Sequence, residues 1–134
     1  MPGAILPEVR LERRGYALHA TVAPGEYSFA LARAIFAAIV EELHAEPAWG
    51  IALDARALRG HLNFADRFFL AVHVARLHLH TPLAMIVPRE LLDPGRFGIA
   101  VALSRGVDVR EFTEEMAAYE WLATRTPVRP DGPT

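Results

Sequence analysis

The chain contains no cysteine and no lysine. Without a thiol there is no disulfide framework, no thiolate metal site and no cysteine nucleophile, and an aqueous, reducing compartment suits such a protein. Without lysine, Schiff-base chemistry, a P-loop lysine and lysine-based acid/base schemes are excluded. All 14 basic residues are arginine, set against 16 acidic ones for a net charge of -2. The strong basic excess of a nucleic-acid footprint is therefore missing, and no nucleic-acid partner is expected. Ser28 and Ser104 are the only serines, and neither lies in the G-x-S-x-G turn of an activated hydrolase serine. No stretch approaches the roughly eighteen uninterrupted apolar residues of a transmembrane helix, and the first residues have neither the basic nor the apolar part of a secretion signal. The expectation is a cytoplasmic protein.

What is present suits one folded domain. In 134 residues, 52% are hydrophobic and 22% charged, enough apolar surface to offset chain entropy around a single core. The domain is expected over residues 1–125, followed by a flexible proline-rich tail over 126–134. After Pro7, Val9 and Leu11 alternate with charged residues in the period of a half-buried strand, and Tyr16–Val22 alternates again beyond Gly15. These two runs predict a hairpin. Ser28 caps a helix whose apolar residues Phe29, Ala32, Ile35, Phe36, Ile39, Val40 and Leu43 recur at helical spacing. Trp49–Asp54 is a nearly continuous apolar run, as in a strand covered on both faces. Asn63 caps a second helix that runs through Phe64, Phe68, Val72 and Ala75 to Leu79. Leu83–Val87 is a further apolar strand, and Asp93-Pro94 begins a third helix that Gly106 ends. Val107–Phe112 then alternates as a strand, and Thr113 caps the last helix, with Met116, Tyr119, Trp121 and Leu122 on its buried face. The predicted order is ββαβαβαβα: an α/β domain with a mixed, mostly parallel sheet and helices packed against it.

The segments Ile86–Gly98, Ser104–Thr113 and Ala118–Leu122 resemble the C-terminal half of the SpoIIAA-like branch of the STAS domain superfamily. There a strand, loop and helix are followed by a short strand ending in Phe and a last helix ending in Trp-Leu. With the opening elements the resemblance covers residues 8–124. It implies a non-enzymatic regulatory or protein-interaction module. Partners in that superfamily are proteins, sometimes a nucleotide or lipid, and its anti-sigma-factor antagonists are switched by phosphorylation of a serine after the central strand. The matching segment here, Asp54–Phe64, holds no serine or threonine. The strand-end Asp54 is retained while the switch residue is not.

In an open α/β sheet, ligands sit beyond the carboxyl ends of the parallel strands, where helix N-termini also point. That edge gathers Asp54, Arg56, Arg59, His61, Arg89 and Thr113, a set suited to an anionic or amphipathic ligand on a carrier or sensor. The other reading is that these are ordinary polar loops in a chain whose only basic residue is arginine. Leu62, Phe64, Phe69 and His73 are candidates for an interface with another protein, a homodimer included, because Phe64, Phe68 and Phe69 cannot all face one core. They would otherwise fill the space between helix and sheet. The histidines at 61, 73, 78 and 80 lack metal-ligand spacing, and no metal, cofactor or catalytic group is expected.

Overall fold

The computed structural model describes residues 8–125, so the expectation for the tail over 126–134 lies outside the described residues. Strands β1 (Val9–Arg14) and β2 (Ala17–Val22) pair antiparallel, with Leu11 opposite Ala20 and Glu12 opposite His19. Gly15 turns the hairpin at φ 59°, a conformation that costs a residue with a Cβ far more. From β2 onward the main sheet is parallel. Its order is β1-β2-β4-β6-β7, with β4 at Gly50–Asp54, β6 at Leu83–Ile86 and β7 at Val109–Phe112. Two additional two-residue strands, β3 (Gly25–Glu26) and β5 (Leu58–Arg59), pair with each other outside it.

The helices α1 (Phe29–Ala45), α2 (Phe64–Arg76) and α3 (Phe97–Ser104) cover one face of the sheet. Ser28 accepts the Leu31 N–H at 3.0 Å and Asn63 accepts the Asp66 N–H at 2.8 Å, so both caps form as the sequence suggests. On α1 the buried residues Ala32, Ile35, Phe36 and Ile39 recur at one stripe. They meet Leu18, Ala20, Ile51, Leu53, Leu83 and Val109 from the strands. The last helix, α4 (Glu115–Arg125), lies alone on the opposite face, where Ala118, Trp121 and Leu122 pack on Ala52, Ala84 and Ile86. Small residues at the sheet centre let α4 come close: a Cβ on Gly50 would stand 3.2 Å from Leu122 Cδ2.

Several boundaries differ from the sequence reading; α2 stops at Arg76 and does not reach Leu79, because His78 takes a left-handed φ of 54°. The third helix starts at Phe97, after 3-10 turns at Arg89–Leu91 and Pro94–Arg96, because Gly95 and Arg96 adopt left-handed φ of 63° and 56° and interrupt any helix begun at Pro94. Asp93 still caps it from a distance, its Oδ2 accepting the Ile99 N–H at 2.9 Å. Val107 is not yet strand, since its N–H closes the preceding turn on Ala102 O. The last helix is capped at Glu114, whose carbonyl accepts the Ala118 N–H, so Thr113 stands one residue upstream of the cap. No helix of the described residues is long and apolar enough to cross a membrane.

Candidate functional site

Parallel register aligns the ends of β4, β6 and β7, with Asp54 beside Ile86 and Ile86 beside Phe112. Arg56, Arg89 and Thr113 therefore leave the sheet at one edge. Arg56 does not reach across that edge. Its guanidinium turns back on Asp54 as a two-pronged fork, Nε to Oδ1 at 2.9 Å and Nη2 to Oδ2 at 2.7 Å, while its backbone N–H also donates to Oδ1. Burial works to raise the Asp54 pKa, but the Arg56 hydrogen bonds and charge outweigh it and bring the carboxyl below its ordinary value. Arg56 Nη2 also stands 3.3 Å from Glu115 on α4. Glu115 then meets Arg14 at 2.9 Å, and Arg14 meets Glu12 at 3.1 Å. The result is a ladder of alternating charge from β4 through α4 to β1, with three carboxylates on two guanidiniums.

Beside this ladder lies His19 of β2, 1% exposed. Its Nδ1 is 2.6 Å from the Tyr119 hydroxyl. Burial, followed by the charge of Arg14, holds the imidazole pKa below its ordinary value, while Glu115, Asp54 and Glu12 oppose that shift. His19, Asp54 and Glu115 bring one ligand atom each within 4.8 Å of one another, a spacing that a cation could bridge. Both carboxylates are already neutralised by Arg56 and Arg14, which argues for a structural ion-pair seam here. Nothing local in the sequence marks His19 as a site residue, since strand alternation puts it with Ala17 and Thr21, away from the main apolar face.

Arg59, His61 and Arg89 are exposed. Thr113 is half-buried between β7 and α4. Of the interface candidates, Leu62 is 6% exposed and belongs to the core, so it leaves the surface set. Phe64 and Phe69 are 64% and 55% exposed. Phe64 stacks on Phe97 of α3 at 4.2 Å between ring centroids, Phe68 lies beside Phe97 at 6.5 Å, and Phe69 meets Phe68 edge-on at 5.6 Å. The four rings make one aromatic surface shared by α2 and α3. His73 is half-buried farther along α2, edge-on to Phe29 of α1.

No protein-family profile and no curated protein sequence matches the chain. Solved structures do match in shape. An anti-sigma factor antagonist from Mycobacterium paratuberculosis superposes with a TM-score of 0.58 at 14% identity, covering 87% of this chain and 94% of that one. A variant of RsbS from Moorella thermoacetica superposes with a TM-score of 0.55 at 11% identity, covering 87% and 96%. With four helices about a mostly parallel sheet, the chain has the STAS fold, of the SpoIIAA type.

Proposed function

We propose that this domain is a non-catalytic regulatory module that acts by binding another protein, and that the Phe64–Phe97–Phe68–Phe69 surface is where the partner docks. The exposed aromatic surface carries the reading. Large rings at that exposure are the usual anchors of an interface, and two of them are already ordered by stacking, so little side-chain entropy is lost on binding. The fold shared with an anti-sigma factor antagonist supports the same class of role. Because Asp54–Phe64 has no hydroxyl side chain, binding is not gated by a phosphoserine in that segment.

The test is affinity capture with the intact chain and with a Phe64→Asp, Phe69→Asp variant of matching circular dichroism. A protein retained by the wild type and lost by the variant supports the reading. An identical captured set overturns it. A monomeric mass at tens of micromolar overturns the homodimer form. The other reading, an anionic ligand at the strand edge, would have to use Arg59, His61 and Arg89, since Arg56 is already committed to Asp54 and Glu115.

A further inference from the structure

A cavity of about 80 Å³ lies between β6 and β7 on one side and α2 and α3 on the other. One water needs roughly 10–15 Å³ by such a measure, so the space suits a ligand of several non-hydrogen atoms. Its walls are apolar, with Leu70, Val74, Ile99, Ala102 and Val109 among them. A second cavity of about 30 Å³ adjoins it and shares Tyr27, Phe36, Met85, Leu91 and Glu111 as walls. Polar groups gather where α3 begins.

There the Asp93 side chain, only 8% exposed, lines the cavity. Oδ2 is satisfied by the Ile99 N–H, but Oδ1 has no hydrogen-bond partner. The nearest cation, Arg67 Nε, stands 3.7 Å away, an ion-pair distance beyond hydrogen-bond reach. A buried carboxylate oxygen without a donor is unfavourable, and Asp93 is one of the residues lining the cavity, so a small turn of its side chain brings Oδ1 to a donor held there. Glu111 lines the same cavity and accepts the Asp93 N–H at 3.0 Å. Gly98 adds no side chain over this end; even a Cβ there would come within 3.4 Å of Asp93 Oδ2. The unpartnered Asp93 Oδ1 thus calls for a donor, which favours a donating, positive head and disfavours a negative one.

We propose that this cavity binds a small amphipathic cation, an apolar chain or ring ending in an ammonium group that donates to Asp93 Oδ1. The tail lies between Leu70, Val74, Ile99 and Ala102, where its burial supplies most of the affinity, and the head fixes its orientation. Glu111 is held as a neutral acid more readily than an ordinary glutamate, because burial raises its pKa; Asp93 is then the principal counter-charge. The cavity shares no lining residue with the aromatic surface or the Arg56 ladder, so the proposal does not depend on the protein-binding reading.

The test titrates the full chain with n-butylammonium chloride, and with n-butanol and sodium butyrate as matched probes at the same pH and ionic strength. Binding is followed by calorimetry and by amide chemical shifts. The expected result is that butylammonium binds at least tenfold more tightly than either matched probe and shifts the amides of Asp93 and residues 98–102. Asp93→Asn should weaken it at least tenfold. Ala102→Leu, which fills the cavity and leaves Asp93 intact, should abolish binding while keeping a folded amide spectrum. If Asp93→Asn does not fold, the wild-type probe series and Ala102→Leu decide the question. Butyrate or butanol binding as tightly as butylammonium, shifts confined to other surfaces, no binding of butylammonium, or binding unchanged in a folded Asp93→Asn or in Ala102→Leu would each overturn the proposal.

Discussion

The hydroxyl of Tyr119 on α4 lies 2.6 Å from Nδ1 of His19 on β2, and the two rings stack with centroids 5.8 Å apart and 5° between planes. His19 is the one fully buried polar side chain among the described residues, so this contact decides whether its burial is tolerated. Removing the hydroxyl in Tyr119→Phe keeps the ring packing but leaves Nδ1 without that partner. The expected loss is about 1–3 kcal/mol of unfolding free energy, the cost of an unsatisfied buried polar group. Urea unfolding measures it as a lower midpoint at unchanged slope. A loss under about 0.5 kcal/mol would show that His19 finds another partner.

The same ring makes stability depend on pH. The folded protein favours the neutral imidazole, whereas the unfolded chain takes up a proton near pH 6.5. The depressed folded pKa therefore contributes stability that is fully present above about pH 6.5 and is lost as the pH falls toward the folded value. Glu111 acts in the opposite sense. Its pKa is raised by burial, so ionising it in the folded state is unfavourable, and folding gains as the pH falls through that raised value. A comparison with His19→Gln separates the two. Between about pH 7.5 and 5.5 the wild-type Tm should fall more than that of the variant, and parallel profiles would remove His19 as the source.

The two arginines of the ladder should differ in worth. Arg56 forks onto Asp54, whose side chain is 12% exposed, while Arg14 bridges Glu12 and Glu115, which are 42% and 39% exposed. Arg56→Ala strands a mostly buried carboxylate and is expected to cost about 1–2 kcal/mol. Arg14→Ala breaks solvent-screened pairs and should cost less than about 1 kcal/mol, falling further at high salt. Chemical denaturation of both variants, with and without added sodium chloride, checks the order. The reverse order would mean that the outer ladder holds α4 more firmly than the Asp54 fork does.

Features set within a few residues were legible in the sequence. Alternation about Gly15 announced the hairpin, Ser28 and Asn63 marked two helix starts, and the apolar runs at Ile51–Leu53 and Leu83–Ile86 showed strands buried on both faces. The delayed start of α3 was not legible, because nothing in the local pattern requires Arg96 to take a left-handed conformation. The strands β3 and β5 are too short to show a period. The candidate site was readable only in part. Register does place Arg56, Arg89 and Thr113 at one edge, but the partner of Arg56 on α4 is 59 residues away, and that contact depends on which face α4 covers. His19 was obscure for the same reason. Its side of β2 reads as a solvent face until α4, docked through Ala118 and Leu122, closes over it.

The seating of α4 can be tested through Gly50. This residue is buried at the start of β4, and a Cβ there would lie 3.2 Å from Leu122 Cδ2 and 3.5 Å from Tyr16 Cε2. Gly50→Val puts a branched side chain into that space and must push α4 outward, at a cost of about 1–3 kcal/mol for overpacking. The same helix carries Tyr119, so an outward shift also weakens its contact with His19. The loss in Gly50→Val, Tyr119→Phe should therefore be smaller than the sum of the single losses, by more than the roughly 0.3–0.5 kcal/mol scatter seen for independent sites. Urea unfolding of the four proteins measures the coupling. Simple additivity would mean that Leu122 rearranges locally and α4 stays where it is, leaving the His19–Tyr119 contact independent of how the middle of the helix packs.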